Sequence, residues 1–225
     1  MSLPIAVLVS GSGSNLQALI DKIQAGVLDA RITLVLSNRP DAYGLERAKR
    51  AGLSHLCLPH AEYPGRLEFD RAMIRAIRES GAQTVVLAGF MRLLSGEFLR
   101  AFPDRVVNIH PALLPSFAGV HGQADAADYG VALSGCTAHF VDERMDHGPV
   151  IIQAAVPVYP DDDGSTLGKR ILALEHRILP QAVQWLAKDR LSIEGRKVRL
   201  RAAPDRALAV RPPDALVNPP LEQGF

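Results

Sequence analysis

Only two of the 225 residues are cysteine, Cys57 and Cys136. That excludes a disulfide framework and is too few for a thiolate metal site. Charge of one sign is not in excess either: 25 Lys and Arg stand against 24 Asp and Glu. A dedicated nucleic-acid binder would be strongly basic. Long apolar runs are also missing. Ile5–Val9 is too short for a signal peptide and has no basic stretch before it. The longest charge-free stretch, Val106–Ala124, holds two prolines, two histidines and an asparagine. It is no membrane span, which needs about 20 mainly apolar residues. No internal repeat occurs. These absences leave one large domain, or one with an appendage, expected to be soluble and cytoplasmic.

What is present is a rhythm. Short apolar runs at Ile5–Val9, Ile32–Leu36, Thr84–Ala88 and Val106–Ile109 read as strands, with Leu53–Leu58 a weaker one. Between them, amphipathic stretches at Asn15–Ala25, Tyr43–Ala51, Leu67–Glu79 and Ser95–Phe102 read as helices. Beyond His110 lies a proline-rich loop, then a short helix over Gln123–Tyr129 and strands at Cys136–Val141 and Val150–Val158 around the acidic loop Asp142–Gly148. A long helix follows over Ser165–Ala187, and a closing hairpin turns at Glu194-Gly195. The alternation predicts an α/β fold: an open, mostly parallel, Rossmann-like sheet with helices on both faces, its C-terminal strands partly antiparallel. Residues 1–200 are expected to form the body. Residues 201–225 hold five of the sixteen prolines and read as a loosely ordered Pro/Arg-rich tail. The eight basic and three acidic side chains of residues 186–212 read as a solvated face.

Between the first strand and the first helix runs Ser10-Gly11-Ser12-Gly13-Ser14-Asn15. In an open α/β sheet the ligand crevice lies at the carboxyl ends of the strands. Glycines there let an anion approach the backbone N–H groups that open the helix. Ser14-x-x-Gln17 is also a capping-box pattern, a ligand-free explanation for Ser14. A dinucleotide fingerprint is missing its third glycine, replaced by Leu16, and an acid at the end of the second strand, which reads Ser37-Asn38-Arg39. A P-loop lysine is missing as well. A monophosphate fits better than NAD or ATP.

Asn108 and His110 project to the same side at the carboxyl end of a buried strand, where polar groups are costly unless paired or functional. The pair suits acyl transfer. Both side chains offer N–H donors to an oxyanion, and histidine passes a proton to a leaving amine. A nearby carboxylate would orient the ring and favour its protonated form. Asp146 is the candidate, with Asp142 and Glu143 equally suited on chemistry alone. No nucleophile elbow occurs, neither cysteine has a visible histidine partner, and no two of His110, His121, His139 and His147 have i,i+4 metal spacing. No metal is expected.

Several segments together resemble one family. Ser10–Ala18, Leu87–Leu94, Asn108–Pro115, Gly135–Asp142, Met145–Pro149 and Glu175-His176 are similar, in order, to the phosphoribosylglycinamide formyltransferases, folate-dependent members of the formyltransferase family. The resemblance implies transfer of formyl from 10-formyltetrahydrofolate, as co-substrate, to the amine of glycinamide ribonucleotide. The substrate amine attacks, so no enzyme nucleophile is needed. By the same resemblance Asn108, His110 and Asp146 are catalytic, and Gly13, Ser14 and Asn15 hold the phosphate. Glu175 holds the ribose, with Leu172 beside it where some members carry glutamine. Met91, Arg92, Leu93, Leu94 and Asn108 line the folate pocket, and the loop with Val141, Asp142 and Glu143 closes over the pterin. Arg66 faces the folate's glutamate carboxylates, and His121 and His139 support the site. His147 stands where the family has a small residue, and 122–127 lacks the basic residue of some relatives.

Methionyl-tRNA formyltransferase shares the trio but adds a C-terminal domain, and formyltetrahydrofolate hydrolase adds an N-terminal one. A phosphate-binding module without catalysis would keep the glycine loop but need neither Asn108 nor His110. Small-molecule substrates are therefore expected, with no nucleic acid or membrane partner, acting as a monomer or homodimer.

Overall fold

A computed structural model of the chain describes residues 2–202 and 212–225. The chain divides into two compact units, Met1–Asn108 and Ile109–Phe225.

The first unit alternates strand and helix: β1 (Leu3–Val9), α1 (Ser14–Gln24), β2 (Ala30–Ser37), α2 (Tyr43–Arg50), β3 (His55–Cys57), α3 (Arg66–Glu79), β4 (Thr84–Leu87), α4 (Gly96–Ala101) and β5 (Val106–His110), whose last two residues pass into the second unit. The strands pair in parallel in the order β3-β2-β1-β4-β5. Ile5 to Val9 are completely buried, as expected of a strand covered on both faces. From α3, Phe69, Met73, Ile74 and Ile77 turn inward, the face that the 3.6-residue period marks. Full burial of a side chain such as Phe69 contributes about 1.5–3 kcal/mol. Asp70 on the same helix is buried too, and its Oδ2 accepts the Ser95 N–H at 2.6 Å, holding the start of α4.

The path of the chain creates the crevice. It steps outward from β1 to β3, then returns to lay β4 on the other flank of β1. The segments leaving β1 and β4 therefore part company at neighbouring strand ends, the position where such sheets bind ligands. Leu8 lies level with Leu87, and Leu87 with Asn108, so the segments that leave these three strands start at about one height.

The second unit contains α5 (Gly122–Tyr129), β6 (Leu133–Phe140), β7 (Val150–Pro157), α6 (Gly164–Ala187), β8 (Leu191–Glu194), β9 (Lys197–Leu200) and β10 (Leu216–Asn218). β6 and β7 are antiparallel, as are the β8–β9 hairpin strands; β9 joins β7 at the single pair Val150–Lys197. The α/β class, with a mostly parallel sheet, flanking helices and antiparallel C-terminal strands, is as the alternation implied. Helix α6 buries Leu167, Ile171, Leu174, Ile178 and Trp185, the expected stripe.

Two expectations are corrected. Ser14 and Gln17 form no capping box. The helix begins one residue earlier than that requires, with Gly13 as its N-cap in the left-handed region at φ 69°. A side chain on Gly13 would meet the Cα of Gly44 at 2.6 Å, so close packing against α2 sets the entry. The reciprocal box sits instead on α6, where Asp163 accepts the Thr166 N–H and the Thr166 hydroxyl accepts the Asp163 N–H.

The second correction concerns the tail. Residues 203–211 of that segment lie outside the described residues, but 212–225 is packed. β10 adds antiparallel to β7, and Leu221 and Phe225 are buried. Glu222 accepts from the Trp185 indole at 3.1 Å and pairs with Arg190 at 2.6 Å. Proline content misleads here because prolines flank a short edge strand, where they displace no ladder hydrogen bond.

Candidate active site

In the first unit, the turn after β1 is held from both sides. Gly44 N–H donates to the Gly11 carbonyl at 3.0 Å, and Arg47 Nε donates to the Ser12 carbonyl at 2.8 Å. Arg47 also donates to the Gln17 side chain at 3.2 Å. The opening N–H groups of a helix have no partner within it, so Gly13, Ser14 and Asn15 stand where backbone donors and a positive potential could receive an anion. Arg47, on the α2 helix that the sequence shows only as one amphipathic stretch among four, brings a guanidinium to this turn. Its contact spans 35 residues, and no local signal shows it.

The segment after β4 is tied to the same turn. Ser10 N–H donates to the Gly89 carbonyl at 3.0 Å, and Met91 N–H donates to Ser10 Oγ at 2.8 Å. Met91 and Leu93 are 64% and 54% exposed, apolar surface suited to a flat ring, while Leu94 is buried. Arg92 lies over the Phe69 ring at 5.5 Å. Arg66 opens α3 and is exposed. Asn108 is half-buried opposite Leu87.

The second unit gathers a titratable cluster. His110 is 4% exposed. Its Nδ1 faces Asp146 Oδ2 at 3.4 Å, and its Nε2 lies 2.9 Å from the Phe117 carbonyl. A carboxylate and a carbonyl only accept, so the doubly protonated ring is the form that donates toward both. Asp146 Oδ2 also accepts the Gly119 N–H at 2.9 Å, and Oδ1 lies 3.9 Å from His139 Nε2. Burial pushes the His139 imidazole below its ordinary value, against the opposing pull of the Phe140 carbonyl and Asp146. His139 Nδ1 therefore donates to that carbonyl, at 2.8 Å, from a neutral ring.

Of the three carboxylates open on chemistry, Asp146 faces His110. Asp142 turns to His147 at 2.8 Å, and Glu143 is exposed. Burial would raise the Asp142 carboxyl, but hydrogen bonds from His147 and the Arg144 N–H outweigh it and hold the group below the usual carboxylate range. Val141 is half-buried beside it. On α6, Glu175 is buried and Leu172 half-buried one turn earlier. His121 precedes α5 and is exposed.

Gly122, which sequence reading missed, is pressed into the cluster. A Cβ there would stand 2.9 Å from the Phe117 carbonyl oxygen and 3.5 Å from His110 Nε2. Cys136 is sealed, and burial drives its thiol well above the ordinary value, so it is no nucleophile. Among the described residues, no group of three His, Cys, Asp or Glu is suited to hold a metal, and no helix is long and apolar enough to cross a membrane.

Residues 3–183 match the family model described as formyl transferase. The phosphoribosylglycinamide formyltransferase of Escherichia coli is 41% identical over 189 residues, which cover 84% of this chain and 89% of that protein. The trifunctional purine biosynthetic protein adenosine-3 of Drosophila pseudoobscura pseudoobscura is 47% identical over 83% of this chain, and the chain spans only 14% of that much longer relative. A crystal structure of glycinamide ribonucleotide transformylase 1 from Symbiobacterium toebii is 50% identical, with a TM-score of 0.87 over 88% of this chain and 94% of that one. The matched stretch runs from β1 into α6 and contains the glycine turn, Asn108, His110 and Asp146: the chain belongs to the formyl transferase family.

Proposed function

We propose that this chain transfers a formyl group from 10-formyltetrahydrofolate to the amine of 5-phosphoribosylglycinamide, a step of de novo purine biosynthesis. The observation that carries the reading is the buried His110 ring held between the Asp146 carboxylate at 3.4 Å and an oxygen acceptor at 2.9 Å. Acyl transfer to an amine places negative charge on the carbonyl oxygen, and donors fixed in advance stabilise it. The Phe117 carbonyl already occupies an acceptor position on Nε2. Exchange of that carbonyl for the formyl oxygen puts the imidazole N–H, with the Asn108 amide, on the developing charge. His110 then passes its proton to the departing folate nitrogen, and Asp146 balances the cationic ring and organises water for its reprotonation.

Binding follows the same logic. Gly13, Ser14 and Asn15 hold the phosphate through N–H donors, with Arg47 adding charge, and Glu175 holds the ribose hydroxyls beside Leu172. Met91, Arg92, Leu93 and Leu94 take the folate with apolar and backbone contacts, Val141, Asp142 and Glu143 close over its pterin, and Arg66 meets its carboxylates. His121 and His139 support the cluster. The chain works on small molecules in the cytoplasm, as a monomer or homodimer, without nucleic acid.

An absorbance assay with a 10-formyl-folate donor and 5-phosphoribosylglycinamide tests this. Transfer is expected with wild type; its absence, or transfer to charged initiator tRNA instead, overturns the reading.

A further inference from the structure

Asp146 presents its carboxylate from a backbone that side chains avoid, with φ at +50°. A residue stays in that region only when its surroundings over-determine it. Part of the constraint is local. Asp142 accepts the Arg144 N–H at 3.0 Å and the His147 ring at 2.8 Å, closing the turn from within. A Cβ on Gly148 would run into the Phe140 carbonyl, which fixes the exit.

The rest comes from 49 residues away. Arg196 stands on the tight turn of the β8–β9 hairpin, beside Gly195 at φ 62°, and the Val150–Lys197 pair anchors that hairpin at the start of β7. Arg196 Nη2 donates to the His147 carbonyl at 2.6 Å, and Nη1 lies 3.0 and 3.1 Å from the two nitrogens of the His147 ring. An atom that close to both nitrogens cannot lie in the ring plane without striking Cε1. Nη1 therefore sits over the imidazole face while Nη2 reaches the carbonyl, a two-point contact that the forked guanidinium of arginine can make and the single ammonium of lysine cannot. One side chain thus grips both the backbone and the ring of the residue after Asp146.

We propose that Arg196 is a positioning residue for the formyl transfer: its grip on His147 holds the left-handed turn that aims Asp146 at His110. The inference rests on the proposed role of Asp146. It assigns function to a side chain that composition places on a solvated basic face, and it acts wholly through Asp146.

A double-mutant cycle tests it. Wild type, Arg196→Met, Asp146→Asn and the double variant are assayed for formyl transfer, with Arg199→Met as a control on the same hairpin, where Arg199 makes an exposed pair with Glu194. Small misplacement of a catalytic group costs up to about a hundredfold, so Arg196→Met is expected to lower kcat about tenfold, at unchanged melting temperature. In the Asp146→Asn background the same change is expected to cost less than about twofold, because coupled residues are not additive. Arg199→Met is expected to match wild type. A near-normal kcat in Arg196→Met, an equal loss in the Asp146→Asn background, or an equal loss in Arg199→Met overturns the positioning role alone. Near-normal turnover in Asp146→Asn overturns the reading of Asp146 and the positioning role with it.

Discussion

His139 shows how one buried ring carries both a stability signature and a site contact. Burial holds its imidazole below the ordinary histidine value. The unfolded chain then binds a proton at this position where the folded chain does not, so stability rises with pH across that window. Its contribution is present above about pH 6.5, the unfolded value, and is lost as pH falls toward the lower folded value. Urea midpoints measured from about pH 7.5 to 5.5 are expected to fall in wild type and to fall less steeply in His139→Gln. Equal slopes would contradict the assignment of a neutral buried ring. Gly122 gives a steric test beside it. A methyl group there meets the Phe117 carbonyl oxygen at 2.9 Å, so Gly122→Ala is expected to cost about 1–3 kcal/mol in a denaturant titration and to reduce transfer. A variant as stable and active as wild type would mean that the loop yields freely.

At the scale of elements, the strands and helices were legible wherever apolar periodicity ran unbroken. Ile5–Val9 and the stripe Leu167–Trp185 are buried as their spacing implies. Asn108 and His110 stood out because two polar side chains at the end of an apolar strand have no packing reason to be there. What remained hidden depends on contacts between distant residues or on main-chain atoms. The Phe117 carbonyl on His110, Arg47 on the glycine turn and Arg196 on His147 leave no local pattern. The start of α1 was misread because packing of Gly13 on Gly44 overrides a plausible capping motif. The last strand was missed because its prolines outweighed Leu221 and Phe225, which bury only once β7 and α6 are in place. This strap has a direct readout. Glu222 holds the indole of Trp185, the one tryptophan in the sequence, and pairs with Arg190 at 2.6 Å. Glu222→Ala is expected to shift the Trp185 emission and to cost about 1–3 kcal/mol, since it strands two donors. Unchanged emission would show that the strap does not need this contact.

For the whole molecule, the near-zero net charge conceals an acidic body. Residues 1–185 carry 17 basic and 19 acidic side chains, so no broad positive field attracts an anionic substrate. In the proposed reading, recognition of the substrate phosphate falls to placed groups, namely the N–H donors around Gly13 and the guanidinium of Arg47, which donates to the Ser12 carbonyl. Arg47→Gln is accordingly expected to raise KM for the phosphorylated substrate about tenfold while kcat changes little, as the loss of one charge-assisted contact does. A fall in kcat at constant KM would move Arg47 from binding to chemistry. The central claim is the proposed mechanism, in which the substrate amine itself attacks the formyl carbon, while His110, held by the Asp146 carboxylate, stabilises the oxyanion and protonates the departing folate nitrogen. The most direct measurement compares formyl transfer by wild type, His110→Ala and Asp146→Asn with the same folate donor and 5-phosphoribosylglycinamide. Loss of at least about a hundredfold in kcat/KM for both variants, at near-normal melting temperature, is predicted; near-normal transfer by both would contradict the account.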